Sequence, residues 1–129
     1  KKLGIDRKIK FWGFVTENKK YELLAKACLL INPSIREGWG LVVIEAASVG
    51  TPTVGYDVSG LRDSIVGNKT GILCKPIPSV CAESVLALAS NRKKYNLLSK
   101  NCLNWSKRFK WTDACKHSLK LIQAVIKTN

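Results

Sequence analysis

The sequence predicts an α/β fold in which a mainly parallel sheet lies between helices on both of its faces. Short apolar runs typical of buried strands alternate with longer amphipathic stretches typical of helices. This alternation occurs four times, with short connections. Parallel strands need crossover connections, and right-handed crossovers place helices against both faces of one sheet. At 129 residues and 46% hydrophobic composition, the chain can form one folded three-layer domain.

Four segments are predicted strands, near residues 9–14, 29–32, 53–56 and 72–74. Each is short and rich in β-branched, aromatic or other apolar residues, as is usual for strands covered on both faces. The second strand ends at Pro33, because proline has no N–H to donate to a ladder. In folds of this kind, ligands bind at the edge formed by the carboxyl ends of the strands.

Six helices are predicted from apolar periodicity and from residues that favour helix ends. Thr16 or Asn18 can cap the first helix, and Gly50 followed by Pro52 can stop the second. The expected spans are about 17–26, 41–49, 60–66 with Ser59 as cap, a segment capped by Ser79 that ends near 89, 92–107, and a last helix that begins at Trp111.

The chain is organised around residues 34–46, which follow the second strand. Gly38 and Gly40 allow a tight turn, and the segment then becomes an apolar helix rich in Leu, Ala and Glu. This unit is therefore predicted to be strand, glycine-rich loop and helix. The amides of about residues 40–43 have no partners within the helix, and the helix dipole is positive there. Such a helix end binds anions.

Two carboxylates bracket this predicted anion site. Glu37 lies in the loop before the helix, and Glu45 lies about one turn into it. Carboxylates accept hydrogen bonds from hydroxyl groups. A ligand with hydroxyls on both sides of a diphosphate fits this arrangement, and the expected ligand is therefore a nucleotide-sugar.

Residues 33–45 resemble the E-x₇-E motif of retaining glycosyltransferases of the GT-B fold, most closely family 4, the glycosyl transferases group 1. The usual form there is Pro-Ser, two or three residues, Glu-Gly-Phe-Gly, and a helix with the second Glu. Trp39 stands here where Phe is commoner. Further segments resemble the family in the same order, namely 46–54, 59–66, 67–73 and 109–112. The resemblance extends over about residues 9 to 126.

The resemblance implies a Rossmann-like three-layer parallel sheet that is part of the C-terminal half of a GT-B fold. Residues 1–129 would then be a single partial domain that binds the nucleotide-sugar, with the N-terminal acceptor domain absent. Two strands of that half, and a stretch with an Arg and a Lys for the diphosphate, have no counterpart here. In the family fold those strands lie beside the strand at 9–14, which therefore either pairs directly with 29–32 or leaves an exposed edge. We expect the chain alone to be inactive and only marginally stable.

The same resemblance assigns roles to residues of the motif. It implies that Glu37 is catalytic, because it binds the donor sugar and stabilises its cation-like transition state, and that Glu45 holds the ribose hydroxyls. The other implied donor-binding residues are Gly38, Trp39, Gly40, Leu41 and Val42. The alternative for Glu37 is a loop carboxylate that caps neighbouring amides, and the alternative for Glu45 is a carboxylate that simply faces solvent. The glycines are alternatively only turn residues, and Trp39 alternatively packs instead of stacking on a ligand. No metal and no cofactor are implied, since the UDP- or GDP-type nucleotide-sugar is a substrate.

Other reactive side chains offer weaker candidates. Asp63 is interpreted as a helix-start carboxylate, with ligand contact as the alternative, and His117 as a surface residue far from the motif. The 5 cysteines include no C-x-x-C pair, so they are expected to be free buried thiols in a reducing cytosol. The expected location is cytoplasmic, with the cytoplasmic face of a membrane as an additional place.

The net charge is +13, and much of it lies in the C-terminal third. Solvated helix faces explain such a distribution without any partner. Attraction to an anionic membrane surface is the alternative, worth about 1 kcal/mol per basic residue near lipid. No nucleic acid is expected, because a basic balance is its only support. The last helix has one predicted apolar stripe, formed by Cys115, Leu119, Ile122, Val125 and Ile126.

Three functions remain open on these grounds. The first is a part of a retaining glycosyltransferase that moves a sugar to a glycan, lipid or other acceptor. The second is a non-catalytic nucleotide-sugar-binding or interaction module. The third is a basic domain that binds membranes or nucleic acid, which the two glutamates of the motif argue against.

Overall fold

The computed structural model describes residues 4–128 of the chain, with side chains through Lys127. After a short 3₁₀ turn at Asp6–Lys8, helices and strands alternate and three helices end the chain. The helices are α1 (Glu17–Lys26), α2 (Leu41–Ser48), α3 (Ser59–Ser64), α4 (Pro78–Ser90), α5 (Arg92–Ser106) and α6 (Trp111–Thr128), and the strands are β1 (Leu30–Asn32), β2 (Thr53–Tyr56) and β3 (Gly71–Cys74). The alternation predicted from the sequence is thus present from α1 onward.

The three described strands form one parallel sheet in the order β1-β2-β3. Ile31 lies opposite Val54, which in turn lies opposite Ile72. All four residues of the central strand β2 are buried, which agrees with its apolar sequence. The predicted α/β fold with a parallel sheet is confirmed.

Apolar clusters lie on both faces of the sheet. One joins the sheet to α4 and α5 through Val54, Tyr56, Cys74, Cys81, Leu88 and Leu98. The other joins it to α2 and α3 through Val43, Leu61 and Ile65, with Leu30 and Leu73 packed against them. The domain therefore has the three layers that the sequence predicts.

The predicted strand at 9–14 is wrong, because these residues form no regular element. Phe11 is 92% exposed and Phe14 is fully exposed. A strand is stable only when a neighbour accepts and donates its backbone hydrogen bonds. Within residues 4–128, β1 pairs only with β2, so its other edge is open and residues 9–14 do not reach it.

The helix ends follow the predicted signals in part. The Thr16 side chain accepts a hydrogen bond from the Lys19 amide at 3.4 Å, which makes Thr16 the cap of α1. At the end of α2, Gly50 has a φ of 80°, and the Thr51 amide donates to the Ala46 carbonyl at 2.9 Å. This is a Schellman motif, in which glycine takes the left-handed position without strain.

Two predicted caps are wrong. Ser59 and Ser79 lie inside their helices, and the capping positions are held by Val58 and Ile77, whose side chains make no capping bond. Pro78 is the first residue of α4, where its fixed φ suits a helix start and its missing N–H is not needed.

Helix α6 presents its predicted apolar stripe to solvent and not to the sheet. Leu119, Ile122 and Ile126 are each more than half exposed.

The prediction that all the cysteines are buried thiols is wrong for two of them. Cys28 and Cys115 are exposed, whereas Cys74, Cys81 and Cys102 are buried. No helix within the described residues is long and apolar enough to span a membrane.

Candidate functional site

The loop between β1 and α2 is shaped by backbone turns. The buried Asn32 side chain accepts a hydrogen bond from the Ser34 amide at 3.1 Å, which turns the chain after β1. Gly40 then caps α2 with a φ of 77°. A Cβ at Gly40 would lie 3.0 Å from Leu61 Cδ2, so a larger residue would be both strained and crowded. Gly40 is therefore needed for the turn, whatever else it does.

Helix α3 lies directly against this loop at Gly60. A Cβ at Gly60 would collide with the backbone carbonyl of Glu37 and lie 2.8 Å from the carbonyl carbon of Gly38. Only glycine allows the two segments to approach this closely. Gly60 was not among the predicted site residues, although glycine inside a predicted helix is a signal of such an approach.

The start of α2 offers free backbone donors. The Val43 amide donates to the Gly40 carbonyl at 2.9 Å, whereas the amides of Leu41 and Val42 have no acceptor among the residues described. The sequence predicted free amides at about residues 40–43, and the Val43 amide does not belong to that set. Two adjacent donors at the positive end of a helix can bind an anionic oxygen.

Glu45 lies one turn into α2 and is already paired. Its Oε1 accepts a hydrogen bond from the Lys20 ammonium of α1 at 2.8 Å, and Lys20 also donates to Glu17 at 2.7 Å. Hydrogen bonds to Glu17 and then Glu45 raise the pKa of Lys20 well above its usual range, so Lys20 stays protonated. Lys20 was not among the predicted site residues, because its partner lies 25 residues away on another helix.

Glu37 is half-buried in the loop. Its backbone is held against Gly60, but its side chain makes no hydrogen bond or ion pair with any part of the chain that is described. The alternative interpretation, a carboxylate that caps neighbouring amides, is therefore not supported. The carboxylate is left available for a ligand.

Trp39 belongs to an aromatic cluster. Its ring lies edge-on to Phe109 with centroids 4.8 Å apart, and Phe109 lies edge-on to Trp105 at 5.1 Å. The indole N–H of Trp105 donates to the Ser64 carbonyl at 3.0 Å, which connects the cluster to α3. Packing is thus one function of Trp39, and it fixes the loop against the end of α5.

A cleft of about 810 Å³ opens between α2, the end of α5 and α6. Trp39, Leu41 and Glu45 lie on its wall, whereas Glu37, Gly38, Gly40 and Val42 do not. The opposite wall is basic and includes Lys116, His117 and Lys120. The prediction that His117 lies far from the motif is therefore wrong, because α6 folds back beside α2.

The remaining candidate residues contribute little to the site. Asp63 is exposed on α3 and makes no described hydrogen bond, while its neighbour Arg62 pairs with Asp57 at 2.6 Å. Among the described residues, no group of three or more His, Cys, Asp or Glu side chains could hold a metal ion.

Comparison with known proteins shows which family the sequence matches. The profile of the glycosyl transferases group 1 matches residues 1–105. The glycogen synthase of Mycobacterium tuberculosis is 36% identical over 70 residues, which are 54% of this chain and 17% of that protein. The D-inositol 3-phosphate glycosyltransferase of Corynebacterium urealyticum is 25% identical over 124 residues, or 95% of this chain and 29% of that protein.

Solved structures share the fold. The sucrose-phosphate synthase from Thermosynechococcus elongatus superposes with a TM-score of 0.90 and 23% identity, over 97% of this chain and 32% of that one. Anabaena Alr3699/HepE, solved in complex with UDP and glucose, superposes with a TM-score of 0.87 and 22% identity, over 95% of this chain and 34% of that one. The chain thus spans about a third of these structures, and less of the two curated relatives named above. Since the family profile covers most of its length, the chain belongs to the glycosyl transferases group 1.

Proposed function

We propose that this chain is the C-terminal, donor-binding part of a retaining family 4 glycosyltransferase of the GT-B fold. The complete enzyme moves a sugar from a UDP- or GDP-type donor to a glycan, lipid or other acceptor held by an N-terminal domain. The observation that carries the proposal is the free amide pair at the start of α2, which lies between Glu37 and Glu45. The UDP and glucose named for the Anabaena neighbour support a donor of this class.

Each part of the donor has a proposed partner. The diphosphate binds the amides of Leu41 and Val42, and the backbone of Gly38 and Gly40 allows it to approach closely. Glu45 accepts hydrogen bonds from the ribose hydroxyls. Trp39 forms part of the wall beside the ribose.

Catalysis depends on charge that develops as the glycosidic bond breaks. Negative charge grows on the leaving diphosphate, and fixed amides stabilise it more in the transition state than in the ground state. The anomeric carbon becomes cation-like, and Glu37 supplies a negative charge beside it. In this proposal neither step uses a metal or cofactor: backbone amides donate hydrogen bonds to the diphosphate, and Glu37 provides the negative charge beside the anomeric carbon.

Steady-state kinetics of the full-length protein test these roles, with the donor varied at saturating acceptor. Glu45→Gln should mainly raise the donor KM, with a loss of about 1–3 kcal/mol, because the ribose contact is similar in ground and transition states. Glu37→Gln should lower kcat as well, because it removes charge complementarity that grows during the reaction. The matched control is Glu83→Gln, which changes an exposed glutamate of α4. A Glu37→Gln variant with normal kcat would contradict the assignment.

A non-catalytic nucleotide-sugar-binding module is the second candidate. It predicts the same binding without turnover, so a transfer assay on the full-length protein separates the two. The 129-residue chain should itself be inactive, because the acceptor site belongs to the other domain. Transfer at an enzymatic rate by the purified chain would show that the division into two domains is wrong.

A cytoplasmic location is part of the same proposal. The basic C-terminal third of the chain would there contact an anionic membrane surface.

A further inference from the structure

Lys20 makes a contact that differs from the other ion pairs of the described chain. The remaining pairs join residues close together in sequence, such as Lys19 with Glu22 within α1 and Arg62 with Asp57. The bond from Lys20 to Glu45 connects α1 to α2 across 25 residues. Both side chains are about one quarter exposed, at 29% and 25%. Salt screens a partly buried ion pair of this kind less than a fully exposed one.

The pair leaves half of the Glu45 carboxylate available. Lys20 holds Oε1 at 2.8 Å, while Oε2 has no partner among the residues that the structure describes. The side chain lies on the wall of the cleft. A carboxylate held by one oxygen has lost most of its rotational freedom before a ligand arrives, so its second oxygen is preorganised to accept a hydrogen bond.

The packing of α1 against α2 does not depend on the ion pair between Lys20 and Glu45. The buried hydroxyl of Thr51 donates to the Leu24 carbonyl of α1 at 2.7 Å, which anchors α1 to the end of α2. Leu24 is itself buried. Loss of the Lys20 ammonium should therefore leave α1 docked while releasing the Glu45 side chain.

Glu17 keeps the ammonium in place from the other side. Lys20 Nζ lies 2.7 Å from Glu17 Oε1 and 2.8 Å from Glu45 Oε1, so one cation bridges two carboxylates. Because Lys20 stays protonated, it can act only as a fixed positive charge and not as an acid or base.

We propose that Lys20 is a positioning residue for the nucleoside part of the donor. It orients the Glu45 carboxylate so that the free oxygen accepts hydrogen bonds from the ribose 2′- and 3′-hydroxyls. This inference rests on the proposed function, since it requires Glu45 to bind ribose. It adds a residue outside the motif to the donor site. It also predicts that the site prefers nucleotides that carry the ribose 2′- and 3′-hydroxyls.

The test compares a nucleotide that has the hydroxyls with one that lacks them. UDP and 2′,3′-dideoxy-UDP, and likewise GDP and its dideoxy analogue, are titrated into the purified protein by isothermal calorimetry. The wild type should bind the ribonucleotide at least ~10-fold more tightly, and Lys20→Met should lose most of this preference. Lys20→Arg should retain it, because a guanidinium can donate to the same oxygen.

The matched control is Lys19→Met, which removes the neighbouring ammonium and breaks its pair with Glu22, also on α1. Lys19→Met should keep the wild-type preference, and both Met variants should have similar melting temperatures. If Lys20→Met weakens both nucleotides equally or keeps the full preference, the positioning role is wrong. If the wild type binds neither ribonucleotide, the proposed function itself fails, which is a different result.

Discussion

Helices α2 and α6 both carry apolar side chains but differ in what surrounds these side chains. On α2, the residues Val43, Ala46 and Ala47 are buried, and Val43 packs with Leu61 and Ile65. On α6, Leu121 is 70% exposed and Ile126 is 68% exposed. The side of α6 that faces the body of the protein is the polar one, which lines the cleft. An amphipathic sequence thus shows that a helix has an apolar face, but not what covers it.

The difference arises from where the partners lie in the chain. Val43 of α2 packs against Leu61 and Ile65, which follow it closely in sequence and were predicted with it, and α5 also packs along α2. The apolar face of α6 has no comparable layer in the described part of the chain. Four experiments test how buried and exposed parts of the protein differ in their contribution to stability.

The largest effect is expected where α3 meets the loop. Gly60→Ala places a methyl group into the backbone carbonyl of Glu37, and backbone atoms cannot move aside as a flexible side chain would. We expect a loss of about 2–4 kcal/mol in the free energy of unfolding, measured by urea denaturation. The control is Gly38→Ala, where a Cβ meets nothing within 4 Å. Equal stability of the two variants would show that α3 is not packed against the loop.

A second experiment compares the two helices directly. Val43→Ala removes two buried carbons from the cluster between the sheet, α2 and α3, and should cost about 1–3 kcal/mol. Leu121→Ala removes more apolar atoms from α6 but should change stability by less than about 0.5 kcal/mol, because they are exposed. A large loss for Leu121→Ala would mean that the α6 face is covered in solution.

The third experiment uses pH. Burial raises the pKa of the Cys102 thiol in α5 from 9.0 to about 12. The unfolded thiol ionises above pH 9, whereas the folded one stays protonated. Its stabilising contribution is therefore complete below pH 9 and declines by about 1.4 kcal/mol per pH unit from there towards pH 12.

Urea unfolding between pH 8 and pH 11 should therefore show a shallower decline of stability in Cys102→Ala than in the wild type. The control is Cys115→Ala on α6, whose exposed thiol should leave the wild-type slope unchanged. A Cys102→Ala slope as steep as that of the wild type would contradict the assignment to this thiol.

The smallest effect is expected in the segment before α1. Phe14 is fully exposed, so Phe14→Ser should change the free energy of unfolding by less than about 0.5 kcal/mol. The same change should reduce self-association, measured by analytical ultracentrifugation, because it removes an exposed aromatic ring. A clear loss of stability would show that residues 9–14 are packed in solution.

Much of the fold could be predicted because its signals are local. The strands β1 to β3 and most helix spans lie within about one residue or two of the predicted ranges, since apolar runs, glycines and prolines mark them directly. The strand at 9–14 has an equally apolar sequence, but pairing depends on a neighbour and not on the segment itself. No local pattern contains that information.

The candidate site was predicted as far as its motif extends. Glu37 and Glu45 were identified by spacing and by resemblance, and their roles stay predictions. Lys20 and Gly60 were missed, and His117 was predicted to lie far from the motif, because tertiary packing brings all three to the site from other elements. Contacts of this kind are set by how helices dock, which spacing along one element does not show.

The aromatic cluster of Trp39, Phe109 and Trp105 gives the protein an optical signal of its own. Edge-on rings in fixed, asymmetric surroundings produce near-ultraviolet circular dichroism, so this band reports the order of the loop between β1 and α2 and its contact with α5. Trp111 at the start of α6 is 80% exposed, and it is one of the 4 tryptophans that contribute to the fluorescence of the chain. The loop can therefore be followed by its dichroism without any label, and the last helix by the part of the emission that Trp111→Phe removes.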